Sequence, residues 1–250
     1  MTFLGIFLHS QIMKIIQILL YLLGLLPSFI WLLFYLKKDK HPESNKMVVK
    51  IFFYGMLSAV AAIFLEEKYR GIDEFFKILS PNLALAGLFL SGAIIEETVK
   101  YSAAWLGTLH NQELDEPVDI MLYMIISALG FAALENMLVL AKFNTPLATF
   151  RALEMSFWRF ALATFLHALC SGTIGYWVAI SFGRGSRKWL YWITGFEISI
   201  SLHGLYNWSI MKMTGLNRLF LPIVILIVLG CLVSYWFKKL KKLKSICIIK

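Results

Sequence analysis

The sequence lacks the polar stretches, the acidic balance and the cysteine pattern that a water-soluble protein of its length carries. Only 16% of its 250 residues are charged and 59% are hydrophobic, where a soluble domain is nearer roughly 45–50% apolar. The three cysteines, Cys170, Cys231 and Cys247, lie far apart in or beside apolar runs. That spacing excludes a disulfide framework and a metal knuckle. No His-Glu-x-x-His occurs, so a metal site would have to be assembled across helices. There is no internal repeat, low-complexity linker or soluble domain, and the longest polar gap, about 66–80, is rich in aromatics. The first apolar run continues to Leu36 without a small-residue cleavage site, so we expect an anchor rather than a cleaved signal. Acidic residues are scarce, 15 against 24 basic, for a net charge of +9. In a soluble protein that balance would suggest nucleic acid. Here the mean hydropathy is +0.72 and no soluble-looking element carries a basic-aromatic patch, so nucleic acid is excluded. The basic excess points to membrane orientation and to anionic lipid.

What is present is a series of apolar runs long enough to cross a bilayer. They predict an all-α, polytopic membrane helix bundle of about seven transmembrane helices, forming one integral membrane domain over residues 1–250. The spans fall near Ile15–Leu36 (with Pro27 as a kink), Met47–Leu65, Leu83–Thr108, Val118–Ala141, Ser156–Phe182, Leu190–Ile210 and Leu219–Phe237. Glu66–Lys77 reads as an interfacial amphipathic helix, and Pro117 as the start of the fourth span. Basic residues crowd the loops at Lys37–Lys46 and Arg184–Lys188 and the tail Lys238–Lys244. By the positive-inside rule the C-terminus is cytoplasmic, and the tail is a surface for anionic lipid. Cys247-Ile248-Ile249-Lys250 has the outline of a prenylation box, but lysine is not a usual last residue there, and the match reads as chance.

The polar residues inside the spans carry the functional signal. Glu96, Glu97 and Lys100 lie within one apolar run, and an ionised group at the bilayer centre costs roughly 2.5–3.5 kcal/mol. Facing lipid they would be expensive, so they are expected to face a cavity or one another. Glu135, His167 and His203 stand roughly 8–11 residues from the outer ends of their spans, about 12–17 Å deep. Four helices, the third to the sixth, therefore each bring a carboxylate or an imidazole to a common level. Such a set supplies a general base for water, metal ligands and oxyanion donors. Asn207, one turn from His203, adds a hydrogen-bond donor on the same face.

These segments resemble the PrsW family of intramembrane proteases. The resemblance rests on Glu96-Glu97-Thr98-Val99-Lys100 and on Asp115-Glu116-Pro117-Val118-Asp119 leading into Gly130-Phe131-Ala132-Ala133-Leu134-Glu135-Asn136. It continues in His167 with Ser171-Gly172 and Gly175-Tyr176, and in His203-Gly204-Leu205-Tyr206-Asn207. Order and spacing match over about residues 85–210; residues 1–84 and 211–250 lie outside the match. The set is more distantly similar to the CAAX prenyl protease and bacteriocin-immunity group, from which the Phe131 motif departs by ending in Glu135 rather than histidine. The resemblance implies an endopeptidase that cuts a membrane-anchored protein, an anti-sigma factor in the best-known role. Glu96, Glu97 and His167 would be catalytic, Glu135 and His203 would complete the site, and Lys100 would support it. Water would be activated by a glutamate, either without metal or with zinc held by His167, His203 and Glu135. Two other classes stand beside it: a transporter or proton relay, and a non-enzymatic immunity or scaffold protein. A purely structural ion pair would also account for Glu96, Glu97 and Lys100.

Overall fold

The computed structural model describes residues 3–38, 43–79, 81–108, 114–143, 149–182 and 184–243. Among these there is no strand. The helices are α1 (Phe3–Leu36), α2 (Asn45–Leu79), α3 (Pro81–Thr108), α4 (Pro117–Leu140), α5 (Thr149–Trp158), α6 (Phe165–Ser181), α7 (Lys188–Lys212) and α8 (Asn217–Leu240). α5 and α6 form one rod, joined by the π-helical segment Arg159–Thr164. By length and composition five stretches can cross a membrane: Gln11–Leu36, Asn45–Tyr69, Pro117–Leu140, Phe150–Ser181 and Arg218–Leu240. Over the described residues the remaining two helices, α3 and α7, are the more polar ones: α3 carries Glu96, Glu97 and Lys100, and α7 brings His203 among other polar residues.

Three boundaries differ from the sequence reading. The first helix begins at Phe3 rather than near Ile15. The second span and the expected interfacial helix are one continuous helix, Asn45–Leu79, because Glu66–Lys77 contains no proline to break it. The fifth span starts earlier, at Thr149, and contains the π segment. Cys247 and parts of the loops at 39–42 and 109–113 lie outside the described residues.

α4 is the hub. Val118 to Ala133 is buried without a break, and α1, α2 and α6 close around it. Glycine permits the approach: a Cβ on Gly55 would stand 2.0 Å from the Ser127 carbonyl oxygen, and one on Gly130 2.0 Å from that of Phe52. Such small-residue crossings let membrane helices gain packing that lipid cannot supply. At one end, Pro117 opens α4 and the Asp119 carboxylate accepts the backbone N–H groups of Asp115 (3.2 Å) and Glu116 (2.7 Å). The acidic segment is thus a helix cap. It sits at the end of α4 opposite Glu135.

α1 braces the α5 rod through its backbone. Pro27 has no N–H for the Leu23 carbonyl, which instead accepts the Ser156 hydroxyl at 3.4 Å. Further along, the Trp31 indole donates to the Phe160 carbonyl inside the π segment at 3.1 Å and stacks on Phe165 at 4.1 Å.

Candidate active site

α3 delivers Glu96, Glu97 and Lys100, α4 Glu135, α6 His167, and α7 His203 and Asn207. Glu97 and Lys100 have no exposure at all. Lys100 Nζ donates to Glu97 Oε1 at 2.6 Å and to His167 Nδ1 at 3.0 Å. An ammonium only donates, so His167 Nδ1 accepts and the ring proton is on Nε2, which donates to Glu135 Oε2 at 2.9 Å. Glu97 Oε1 also takes the His203 Nδ1 proton at 2.8 Å, and Glu97 Oε2 takes the Ser171 hydroxyl at 3.0 Å. Both oxygens of Glu97 are thereby engaged.

Glu96 is placed differently. Its Oε2 is buried with no hydrogen-bond partner, and it stands 3.7 Å from His167 Nδ1, 3.7 Å from His203 Nε2 and 3.6 Å from Lys100 Nζ. The two imidazoles meet edge to face at 5.2 Å. Glu96, Glu135, His167, His203 and Asn207 line a cavity of about 670 Å³ between the α5 rod, α7 and the start of α8. Met155, Trp158, Ile210 and Leu219 make its walls largely apolar.

The donor set fits a catalytic metal. One carboxylate oxygen and two imidazole nitrogens lie within 4.8 Å of one another, and two histidines with a glutamate form a known catalytic zinc set. Each histidine donates its other N–H to a carboxylate, His167 to Glu135 and His203 to Glu97. Such outer partners fix the ring and raise the ligand's basicity. Glu135, expected as a possible ligand, meets the far nitrogen of His167, and Glu96 is the carboxylate that converges with the two rings. A second triad, Glu97, Cys170 and His203, also converges. There Glu97 and His203 Nδ1 are already spent on each other.

Arg159, not among the site residues expected from the sequence, also reaches the cavity wall. Its Nη2 lies 2.8 Å from Glu135 Oε2, and its Nε donates to the Asn136 side-chain oxygen. Asn136 in turn donates to Thr164 Oγ1 at 3.0 Å. An arginine inside an apolar run, eight residues before His167, was the signal available.

A carboxylate–imidazole cluster inside a polytopic helical bundle, opening on its own cavity, is the equipment of an intramembrane hydrolase. Residues 43–233 match the family described as PrsW family intramembrane metalloprotease, and the chain belongs to that family. It is 32% identical to "Protease PrsW" of Geobacillus kaustophilus over 71% of this chain and 73% of that one. It is 26% identical to "Protease PrsW" of Bacillus subtilis over 85% of this chain and 89% of that one. The protein of the same name from Clostridioides difficile is 26% identical over 77% and 79%. No solved structure matches the chain. The protein is therefore an integral membrane protease.

Proposed function

We propose that the chain hydrolyses a peptide bond of a membrane-anchored protein, an anti-sigma factor being one candidate, with Glu96 as the working carboxylate. The observation that carries this reading is the buried Glu96 Oε2 on the cavity wall, which makes no hydrogen bond and stands between two imidazole nitrogens whose rings are held from behind. Glu96, His167 and His203 are the zinc ligands in this reading. Bound zinc supplies a water with a pKa near about 7 and polarises the scissile carbonyl. His167 would offer the ion the Nδ1 that now accepts from Lys100, and Lys100 would keep Glu97 and the Phe131 ring, 4.8 Å away, as partners. Glu97 holds the His203 ring, and Glu135 holds that of His167. Asn207 faces the cavity as a donor for the negative charge that develops on the carbonyl oxygen. The apolar walls receive the substrate segment and exclude bulk water.

The C-terminus is cytoplasmic in this reading. The ends of α1 and α8 and the α6–α7 turn then share one basic face, with Lys37, Lys38, Arg184, Arg187, Lys238 and Lys241, suited to anionic lipid.

The test compares new protein N-termini in host membranes carrying wild type or Glu96→Gln, together with zinc bound by the purified proteins. We expect a small set of cut membrane-anchored proteins to vanish in the variant, and zinc retention to fall. Identical N-termini in the two membranes would refute the protease site placed here and favour an ion-relay role for the same residues.

A further inference from the structure

The π segment has a consequence for the site. On an unbroken α-helix, residues eight apart point roughly 80° away from each other. A π turn holds roughly 4.4 residues, so carrying five of those eight steps through π geometry brings the two directions to within roughly 20°. Arg159 and His167 are eight apart, and the segment Arg159–Thr164 lies between them. Both reach one atom, Glu135 Oε2, at 2.8 Å and 2.9 Å. The wide turn is braced from two sides. Trp31 of α1 donates to the Phe160 carbonyl, and Asn136 of α4 joins its far end through Thr164 and its near end through Arg159.

We infer that Arg159 is a positioning residue for the reaction, brought into register by the π segment: its guanidinium holds the Glu135 carboxylate on His167 Nε2, and so keeps the His167 ring in place, with Nδ1 beside Lys100 and Glu96. The logic is one of valence. Among the described residues Glu135 is the acceptor of the His167 Nε2 proton, and its side chain is 37% exposed. Without the guanidinium, the carboxylate is free to turn into the cavity. The imidazole then loses the bond that fixes its orientation from behind, while Lys100 still donates to Nδ1 and keeps the ring proton on Nε2. Arg159 touches no reacting atom; it acts through Glu135 and His167. A lysine would bring a point charge but not the fork that engages Glu135 and Asn136 together.

This inference rests on the reading of His167 as a site residue, so the primary measurement does not depend on cleavage. Nitrogen-15 NMR of histidine-labelled full-length protein, with His167 assigned through His167→Gln, reports how firmly the His167 Nε2–H is held. In wild type we expect that N–H to exchange slowly with solvent, held by its bond to Glu135. In Arg159→Ala we expect faster exchange, with turnover on the substrate identified above lowered about 10–100-fold, the usual cost of losing an outer-shell partner. The loss should fall in kcat rather than KM, and free guanidinium should restore both the spectrum and the rate. Deleting Ala161, which lets the segment close with α-helical spacing, should reproduce the faster exchange with Arg159 still present. A wild-type spectrum and rate in Arg159→Ala, or a loss that guanidinium does not restore, would overturn the inference. If His167→Gln itself cleaves normally, the proposed function falls instead, and the two failures are distinct.

Discussion

The back wall and the front wall of the site use the same residue types to opposite ends. At the back, Glu97, Lys100, Ser171 and His203 are buried and mutually satisfied: each oxygen of Glu97 has at least one donor. At the front, Glu96 lines the cavity with an oxygen that has none. Adjacent positions on a helix point about 100° apart, and that rotation separates a carboxylate that holds the machinery from one that can do work. A buried ion pair is seldom a net source of stability, but removing one partner is costly. The back wall should therefore fail by losing structure, and the front wall by losing chemistry alone.

The largest expected effect comes from breaking the back wall. Glu97→Gln leaves the Lys100 ammonium without its closest partner in a site of zero exposure, a change that typically costs about 3–5 kcal/mol. Thermal unfolding in detergent should show a markedly lower Tm, with activity lost alongside it. An unchanged Tm would erase the distinction between the walls. Next comes Asn207→Ala at the front. Removing one oxyanion donor costs roughly 10²–10³ in kcat. The Tm should stay put, and steady-state kinetics on the identified substrate would check it. A normal kcat would mean that Asn207 merely lines the cavity.

The smallest effect lies far from both walls, on the basic face. Lys38 follows the end of α1, and burial, with the charges of Lys238 and Lys241, holds its pKa below the ordinary lysine range. The folded protein therefore binds fewer protons than the unfolded chain between the folded and the free lysine pKa. Stability rises with pH across that window. Lys38→Gln should flatten that rise and lift the Tm slightly at neutral pH in uncharged detergent. Anionic lipid should cancel the gain. A pH-independent difference between wild type and variant would rule out charge repulsion as its cause.

The sequence made the membership of the site legible and left its wiring hidden. Ionisable residues in apolar spans are costly enough that Glu96, Glu97, Lys100, Glu135, His167 and His203 stood out, and all six meet in one cluster. Depth counted along each helix was sufficient, because helix rise is constant. Rotation about the axis was not, since it depends on neighbours. Sequence could not say which of the two adjacent glutamates faces the cavity, or that Glu135 would sit behind His167. The π segment is hidden for the same reason: a period of about 3.6 turns Arg159 away from His167, and only the wide turn brings both to Glu135. The length of α2 was missed because Glu66–Lys77 was given a separate role by its composition, although nothing in it interrupts a helix.

The central claim is that Glu96 works and Glu97 supports. It is tested most directly by purifying wild type, Glu96→Gln and Glu97→Gln in the same detergent and measuring cleavage per folded molecule beside the Tm of each. The account predicts that, compared without added metal, Glu96→Gln keeps the wild-type Tm, and that with zinc supplied it holds the metal poorly and loses cleavage, as a removed ligand should. It predicts that Glu97→Gln loses Tm as well. Glu96→Gln cleaving at the wild-type rate, or losing stability as Glu97→Gln does, would contradict it.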